Sequence, residues 1–269
     1  MSYTSKSFLV CAAKHYDVNY EINPWMSVED RPDTDLAKEQ WNSYEQKIKE
    51  IGASLHYLDP DPAVPDLVFT ANHALVKDGH AVLAKMHTPE RSKEEAIFGK
   101  WFADQGFQTL SLDQSFEGEG DAFIVNDTLF YGYGFRSDRK AAEPIAEFFS
   151  INKIVYCELV DPYFYHLDTC FAPLFDGSAV IYEPALTPKS VKDISAELEL
   201  LKVNQDEAKH FASNLVVVEK QILTPTGCPE ITKQLEQKGF TVSATPLNQF
   251  LKAGGAAKCL CLRLDQPDN

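Results

Sequence analysis

The sequence has no apolar run long enough to cross a bilayer, no cysteines at zinc-finger spacing and no block of basic residues. Its first apolar stretch, Phe8 to Ala13, gives way at once to Lys14 and His15, too short for a membrane span or a signal peptide. Cys11, Cys157, Cys170, Cys228, Cys259 and Cys261 include no C-x-x-C pair and mostly lie within apolar runs, so reduced thiols, no metal and a cytoplasmic location are expected. With 25 Lys and Arg against 40 Asp and Glu, the formal charge is −15. That balance speaks against nucleic acid and anionic membranes as partners and mildly favours a cationic small substrate. No phosphate-binding glycine motif and no G-x-S-x-G elbow is present, and no cofactor is called for. No linker rich in Pro, Ser or Gly divides the 269 residues, so a single domain over 1–269 is expected.

What the sequence does have is a weak internal repeat with a period of roughly 45 to 50 residues. Each unit reads as hairpin, helix, strand. The hairpins are His73–Val76 with Ala81–Ala84, Ala122–Val125 with Leu129–Tyr131, Phe171–Phe175 with Ala179–Tyr182, and Leu215–Val218 with Ile222–Leu223. Asp78-Gly79, Asn126-Asp127 and Asp176-Gly177 lie between these apolar runs, and such residues tolerate the positive φ of tight hairpin turns. Ser92 to Glu95 reads as a capping box ahead of Ile97, Trp101 and Phe102, and Asp138 precedes Ile145 and Phe149 at helical spacing. Ser190 is expected to open a third helix with Val191, Ile194, Leu198 and Leu201 on one face, and Pro229 a fourth that stops at Gly239. Short strands follow at Gln108–Leu110, Ile154–Tyr156 and Thr241–Ser243.

A fifth unit is split between the termini. A C-terminal strand that alternates Cys259, Cys261 and Arg263 with Leu260, Leu262 and Leu264 would pair with Phe8 to Ala12, and the helix around Leu36 to Ile51 would complete it. Five such units closed head to tail make an α/β ring; an open mixed α/β sheet is the alternative.

Equivalent loops in a ring meet at one end, and four that lead into strands are unusually polar. They are Asp66 to Asn72, Phe116 to Asp121, His166 to Thr169, and the Gly254-Gly255 pair before Cys259. Together they hold an asparagine, several carboxylates, a His-x-Asp and a thiol. Those are the parts needed to bind a planar cation and attack its carbon: oxygens accept its hydrogen bonds, a thiolate attacks, a histidine moves protons. Each has a plainer alternative. Cys259 could be a core cysteine, His166 and Asp168 a structural pair on one strand, the Glu117-to-Asp121 loop merely solvated, and Arg91 and Arg136 surface arginines. The remaining histidines, His15, His56, His73, His80, His87 and His210, show no ligand spacing and read as structural or exposed.

Taken together, Phe69–Val76 (FTANHALV), Met86–Arg91 (MHTPER), Phe116–Phe123 (FEGEGDAF), Tyr131–Ser137 (YGYGFRS), His166–Leu174 (HLDTCFAPL) and Ala253–Leu262 (AGGAAKCLCL) resemble the guanidine-modifying enzymes. This superfamily comprises arginine deiminases, dimethylargininases and amidinotransferases. The resemblance runs in order along essentially the whole chain. It implies a five-bladed α/β propeller, the pentein fold, with pseudo-fivefold ββαβ repeats. The segment His15 to Met26 is most similar to the arginine dihydrolase branch, which converts arginine to ornithine, carbon dioxide and ammonia and often carries a further C-terminal domain.

Carried over by motif, the resemblance implies Cys259 as nucleophile, His166 as general acid and base, and Glu117 as the acid that orients the histidine or substrate, with Glu119 as its rival. Asp168 would bind the guanidinium, and Asn72 falls where deiminases usually have a second aspartate. Asn23, Arg91, Arg136 and the backbone of Ala253 match substrate contacts, the arginines being suited to an α-carboxylate. The implied partner is a small guanidino substrate, arginine or a methylarginine; assembly into a homo-oligomer is left open. The rivals within the superfamily are a deiminase stopping at citrulline, a dimethylargininase and an amidinotransferase. A guanidino-compound binding protein without turnover is the rival outside enzymology.

Overall fold

The computed structural model describes residues 3–267, so the first two and last two residues of the expected 1–269 domain lie outside the described residues. The chain begins with β1 (Ser7–Cys11), α1 (Thr34–Glu50) and β2 (Ser54–Leu58). Four units follow: β3 (Ala74–Lys77), β4 (His80–Leu83), α2 (Glu94–Asp104) and β5 (Gln108–Ser111); β6 (Ala122–Val125), β7 (Thr128–Tyr133), α3 (Ala142–Phe148) and β8 (Lys153–Glu158); β9 (Phe171–Pro173), β10 (Ser178–Ile181), α4 (Pro188–Ser195) and β11 (Glu199–Lys202); and, after a short α5 (Gln205–Ala208), β12 (Val216–Val218), β13 (Gln221–Pro225), α6 (Pro229–Gln237) and β14 (Thr241–Thr245). A last turn of helix, α7 (Asn248–Leu251), precedes the returning β15 (Leu262–Arg263).

Each unit forms its own three-stranded sheet, an antiparallel hairpin joined to a parallel third strand. In the second unit Leu75 faces Val82 across the hairpin while Val82 faces Leu110 in parallel register. The first unit is assembled from both ends of the chain: β15 runs antiparallel to β1 with Phe8 opposite Arg263, and β2 runs parallel with Phe8 opposite Leu55. This is the five-bladed α/β propeller, and the open-sheet alternative is not adopted. The inner strands β6, β9, β12 and β15 are buried throughout, whereas β2, β5 and β14 are largely open to solvent, so each sheet runs from an apolar centre to a wet rim. Several helices seal the joint between units by packing on the last strand of the unit before: α1 on β14, α4 on β8, α6 on β11.

The turn chemistry behaves as its residues predict. Asp78, Asn126 and Asp127 all take positive φ, which matches the right-handed strand twist in a two-residue hairpin. Four sequence expectations are corrected. The C-terminal strand is confined to Leu262–Arg263; Cys259 lies in the turn before it, because the backbone there is spent on contacts with neighbouring loops, such as Ala71 N–H to the Cys259 carbonyl. Ser92 caps no helix: its hydroxyl donates to the Pro89 carbonyl, and Lys93, with no side-chain bond, stands at the start of α2. The third helix is capped one turn earlier by Thr187, which accepts from Ser190 N–H. It ends at Ser195, and Leu201 belongs to β11, whose parallel ladder with β10 wins over continued helix.

Candidate active site

The loops that lead into the first strands close up into tight 3-10 turns and touch one another at the centre of the ring: Pro65–Val68 and Thr70–His73 before β3, Gly118–Gly120 before β6, and Leu167–Thr169 before β9. Gly118 makes this approach feasible. It sits at φ +59, and a side chain there would collide with the Ala71 carbonyl and the Ala74 backbone. The polar residues these turns carry are thereby drawn off the surface: Asn72, Glu117, His166 and Asp168 are all no more than 2% exposed.

Cys259 is itself 3% exposed. Its Sγ lies 3.2 Å from Asp168 Oδ2 and 3.1 Å from Asn214 Nδ2. Asn214 also accepts from the Lys258 and Cys259 backbone N–H groups through Oδ1 and donates to the Asp168 carbonyl, so it pins the Cys259 and Asp168 loops together. Burial pushes the Cys259 thiol well up, and the nearby Asp168 pushes it further. Burial also raises Asp168, to about 7, with Lys258 opposing. A buried anion is penalised twice here, by lost water and by its neighbour, so without a cation the pair holds a proton.

His166 Nε2 is 2.7 Å from Glu117 Oε2. Burial alone would raise the Glu117 carboxyl, but Arg136, His166 and Arg91 hold it far below the ordinary range. Arg136 donates to Glu117 at 3.1 Å and to the Ile22 carbonyl at 3.0 Å, with its guanidinium over the Tyr165 ring. The His87 backbone N–H completes the shell of Glu117. Glu119 lies elsewhere, accepting from Lys258 Nζ at 2.8 Å and from Arg263 N–H, and makes no contact with His166.

Arg91 is gripped by Glu94 through Nε and Nη2, both at 2.8 Å, and its Nη1 donates to Asn72 Oδ1 at 2.7 Å. Asn23 donates to the Ala253 carbonyl at 3.0 Å, closing the pocket's outer edge. Asn23, Asn72, Arg91, Arg136, His166, Ala253 and Cys259 all line one narrow pocket, while Glu117 and Asp168 stand directly behind it. All the residues singled out from sequence except Glu119 are thus brought together.

Asn214 escaped the sequence reading, and Asp66 entered it only as the start of a polar loop, with no role of its own. Asn214 opens the fourth hairpin, the same repeat position as the other polar turns, and that position was its signal. Asp66, 1% exposed on the pocket wall, takes a hydrogen bond from Tyr20 on Oδ2 while Oδ1 has no partner, and burial raises its carboxyl to about 6. Among the described residues, no cluster of three or more His, Cys, Asp or Glu side chains is arranged to hold a metal ion, and no helix is long and apolar enough to cross a membrane.

Several known proteins resemble this chain along most of its length. The family described as N,N dimethylarginine dimethylhydrolase, eukaryotic, matches residues 17–264. The bifunctional arginine dihydrolase/ornithine cyclodeaminase ArgZ of Synechocystis is 40% identical over 267 residues, 96% of this chain, which spans only 38% of that protein. The N(G),N(G)-dimethylarginine dimethylaminohydrolase of Mycobacterium tuberculosis is 33% identical across 93% of this chain and 82% of its own. The crystal structure of the N-terminal domain of ArgZ with bound product, described as an arginine dihydrolase from cyanobacteria, superposes with a TM-score of 0.93 at 40% identity, covering 97% of this chain and 98% of that one.

Proposed function

The chain belongs to the N,N dimethylarginine dimethylhydrolase family, and within it we propose that this chain hydrolyses arginine at the guanidinium carbon through a covalent amidino-cysteine on Cys259, running past citrulline to ornithine. One arrangement carries this reading. Three buried polar atoms that lack a partner belong to residues lining the Cys259 pocket or standing behind it: Asp168 Oδ1, Asp66 Oδ1 and Asn72 Nδ2. They ask for a hydrogen-bond donor, a cationic group and an acceptor.

In the proposed cycle the guanidinium lies against Asp168 and Glu117, while Arg91 and Arg136 turn their remaining donors to the α-carboxylate and Asp66 takes the α-ammonium. The arriving positive charge reverses the electrostatics that keep Cys259 protonated, the thiol proton passes to His166, and the thiolate adds to the central carbon. His166, held by Glu117, gives a proton to the departing ammonia. It then takes one from the water that attacks the amidino-cysteine, and collapse returns the thiolate and citrulline. Repetition on the ureido carbon releases a second ammonia and, after hydrolysis, carbon dioxide and ornithine. An aspartate at position 72 would favour only the cation; an amide also accommodates the neutral ureido group.

The ArgZ and AgrE relatives, both named as arginine dihydrolases, support this specificity. The M. tuberculosis relative favours a second reading, release of methylamines from N-methylated arginines. We further take residues 1–269 as one domain and the cytoplasm as its location, which the six free, buried cysteines support.

Cys259→Ser is expected to abolish turnover yet still bind arginine in calorimetry; appreciable residual ammonia release would remove Cys259 from the chemistry. Asn72→Asp is expected to shift the product from ornithine to citrulline. Unchanged product ratios would remove Asn72 from the explanation, and faster release of dimethylamine than of ammonia by the wild type would favour the second reading.

A further inference from the structure

Asn72 carries one acceptor and one donor group, and which of them faces the substrate decides what the site can recognise. A guanidinium can only donate, so the Arg91 Nη1 contact at 2.7 Å fixes Oδ1 towards Arg91 and leaves Nδ2 uncommitted on a residue that lines the pocket. That nitrogen is buried and without a partner. It sits over Gly120, where any side chain would run into it and press on the His166 ring, so the glycine keeps this donor beside the general acid and base.

The aim of Arg91 is set in turn from outside the pocket. Glu94, the first residue of α2 and 1% exposed, takes Nε on one oxygen and Nη2 on the other, which fixes the guanidinium plane and points Nη1 at Asn72. Behind it stands His73, fully buried and stacked on Phe98, with Nε2 3.2 Å from the same Glu94 oxygen that receives Nη2. Burial holds the His73 pKa down, so the neutral ring offers one N–H to Glu94 while Glu94 stays ionised beside Arg91.

We propose that Glu94, braced by His73, is a positioning residue: through Arg91 it holds the Asn72 amide with its N–H₂ towards the substrate, a donor matched to the ureido oxygen of citrulline and of no use to the all-donor guanidinium. The inference rests on the dihydrolase reading and assigns the recognition of its second substrate to a chain of four residues, of which Glu94 and His73 never touch the ligand.

Glu94→Gln loosens the fork on Arg91. In the full chain it is expected to lower kcat/KM for added citrulline by about 10- to 100-fold, the size of a lost buried hydrogen bond. Arginine consumption falls by less than about tenfold, and more of the arginine consumed is released as citrulline. Equal losses on both substrates, or an unaltered citrulline reaction, overturn the inference alone, provided the wild type makes ornithine. A wild type that stops at citrulline overturns the dihydrolase reading and this inference with it. Because removing the counter-charge of a buried arginine can prevent folding, a second measurement leaves Glu94 intact. A crystal structure of Cys259→Ser with citrulline should place Asn72 Nδ2 on the ureido oxygen with Arg91 Nη1 still on Oδ1. An Arg91 that has left Asn72 for the ligand's carboxylate overturns the proposal.

Discussion

A thiol buried to 3% exposure, with a carboxylate oxygen 3.2 Å away, is a poor nucleophile until a cation joins it. That coupling has a pH signature. Asp168, raised to about 7 by burial, must be ionised to receive a guanidinium. The acid limb of kcat/KM for arginine is therefore expected near pH 7, and a limb near pH 4 would mean that Asp168 is already ionised in the empty site. Stability follows the same sign. A carboxyl whose folded pKa is raised stabilises the fold fully below its unfolded value, near 4, and the benefit is lost as pH climbs to about 7. Asp168→Asn should thus stabilise the empty chain at pH 8 by on the order of 4 kcal/mol and change little at pH 4, read from denaturant unfolding at the two pH values. Much of this site was legible from residue types at matching points of the repeat: His166, Asp168, Glu117 and Cys259 each lead into a strand. Asn214 occupies the same point of its unit, but one amide among Ala212, Ser213 and Leu215 carries no chemical accent. Telling Glu117 from Glu119 needed three dimensions, since a single glycine separates them, yet Glu117 meets His166 and Arg136 while Glu119 meets Lys258.

The lead-in turns place these groups, and their tolerance is narrow. Gly120→Ala would press a methyl group between Asn72 Nδ2 and the His166 ring. Overpacking of this kind costs about 1–3 kcal/mol, and displacement of reacting groups by about an ångström can cost about 100-fold in rate. A well-folded Gly120→Ala chain is expected to lose at least that much kcat/KM; near-normal activity would show that the Asn72 and His166 contacts are slack. Hairpins were readable because Asp78-Gly79 and Asn126-Asp127 state their backbone requirement locally. Helix starts were less so: Ser92 satisfies the Pro89 carbonyl instead of a helix N–H, a choice made by the chain's path and not by the S-x-x-E pattern. The 3-10 turns were invisible to periodicity, being only three or four residues long. The two-residue β15 was over-read as a longer strand because alternation of Cys and Leu continues through a turn.

Across the whole molecule the ring closes on that shortest strand, and Cys259, the proposed nucleophile, is attached to the closure. Leu262 is fully buried with Leu9, Leu58, Val64 and Phe102, joining the first unit to the second, and Leu264 N–H bonds the Ser7 carbonyl. Leu262→Ala is expected to cost about 2–5 kcal/mol, seen as a lower denaturant midpoint at unchanged slope. A cost below about 1 kcal/mol would mean that closure adds little to the fold. The ring itself was foreseeable because five units each present the same unfinished face, and only a closed arrangement buries all of them. The chemistry of the whole follows from gathering one turn from each unit around a single pocket. The most direct measurement is to incubate the intact protein with arginine and count ammonia against ornithine and citrulline. Two ammonia and one ornithine for each arginine consumed is the predicted result; one ammonia with citrulline persisting, or no ammonia at all, would contradict it.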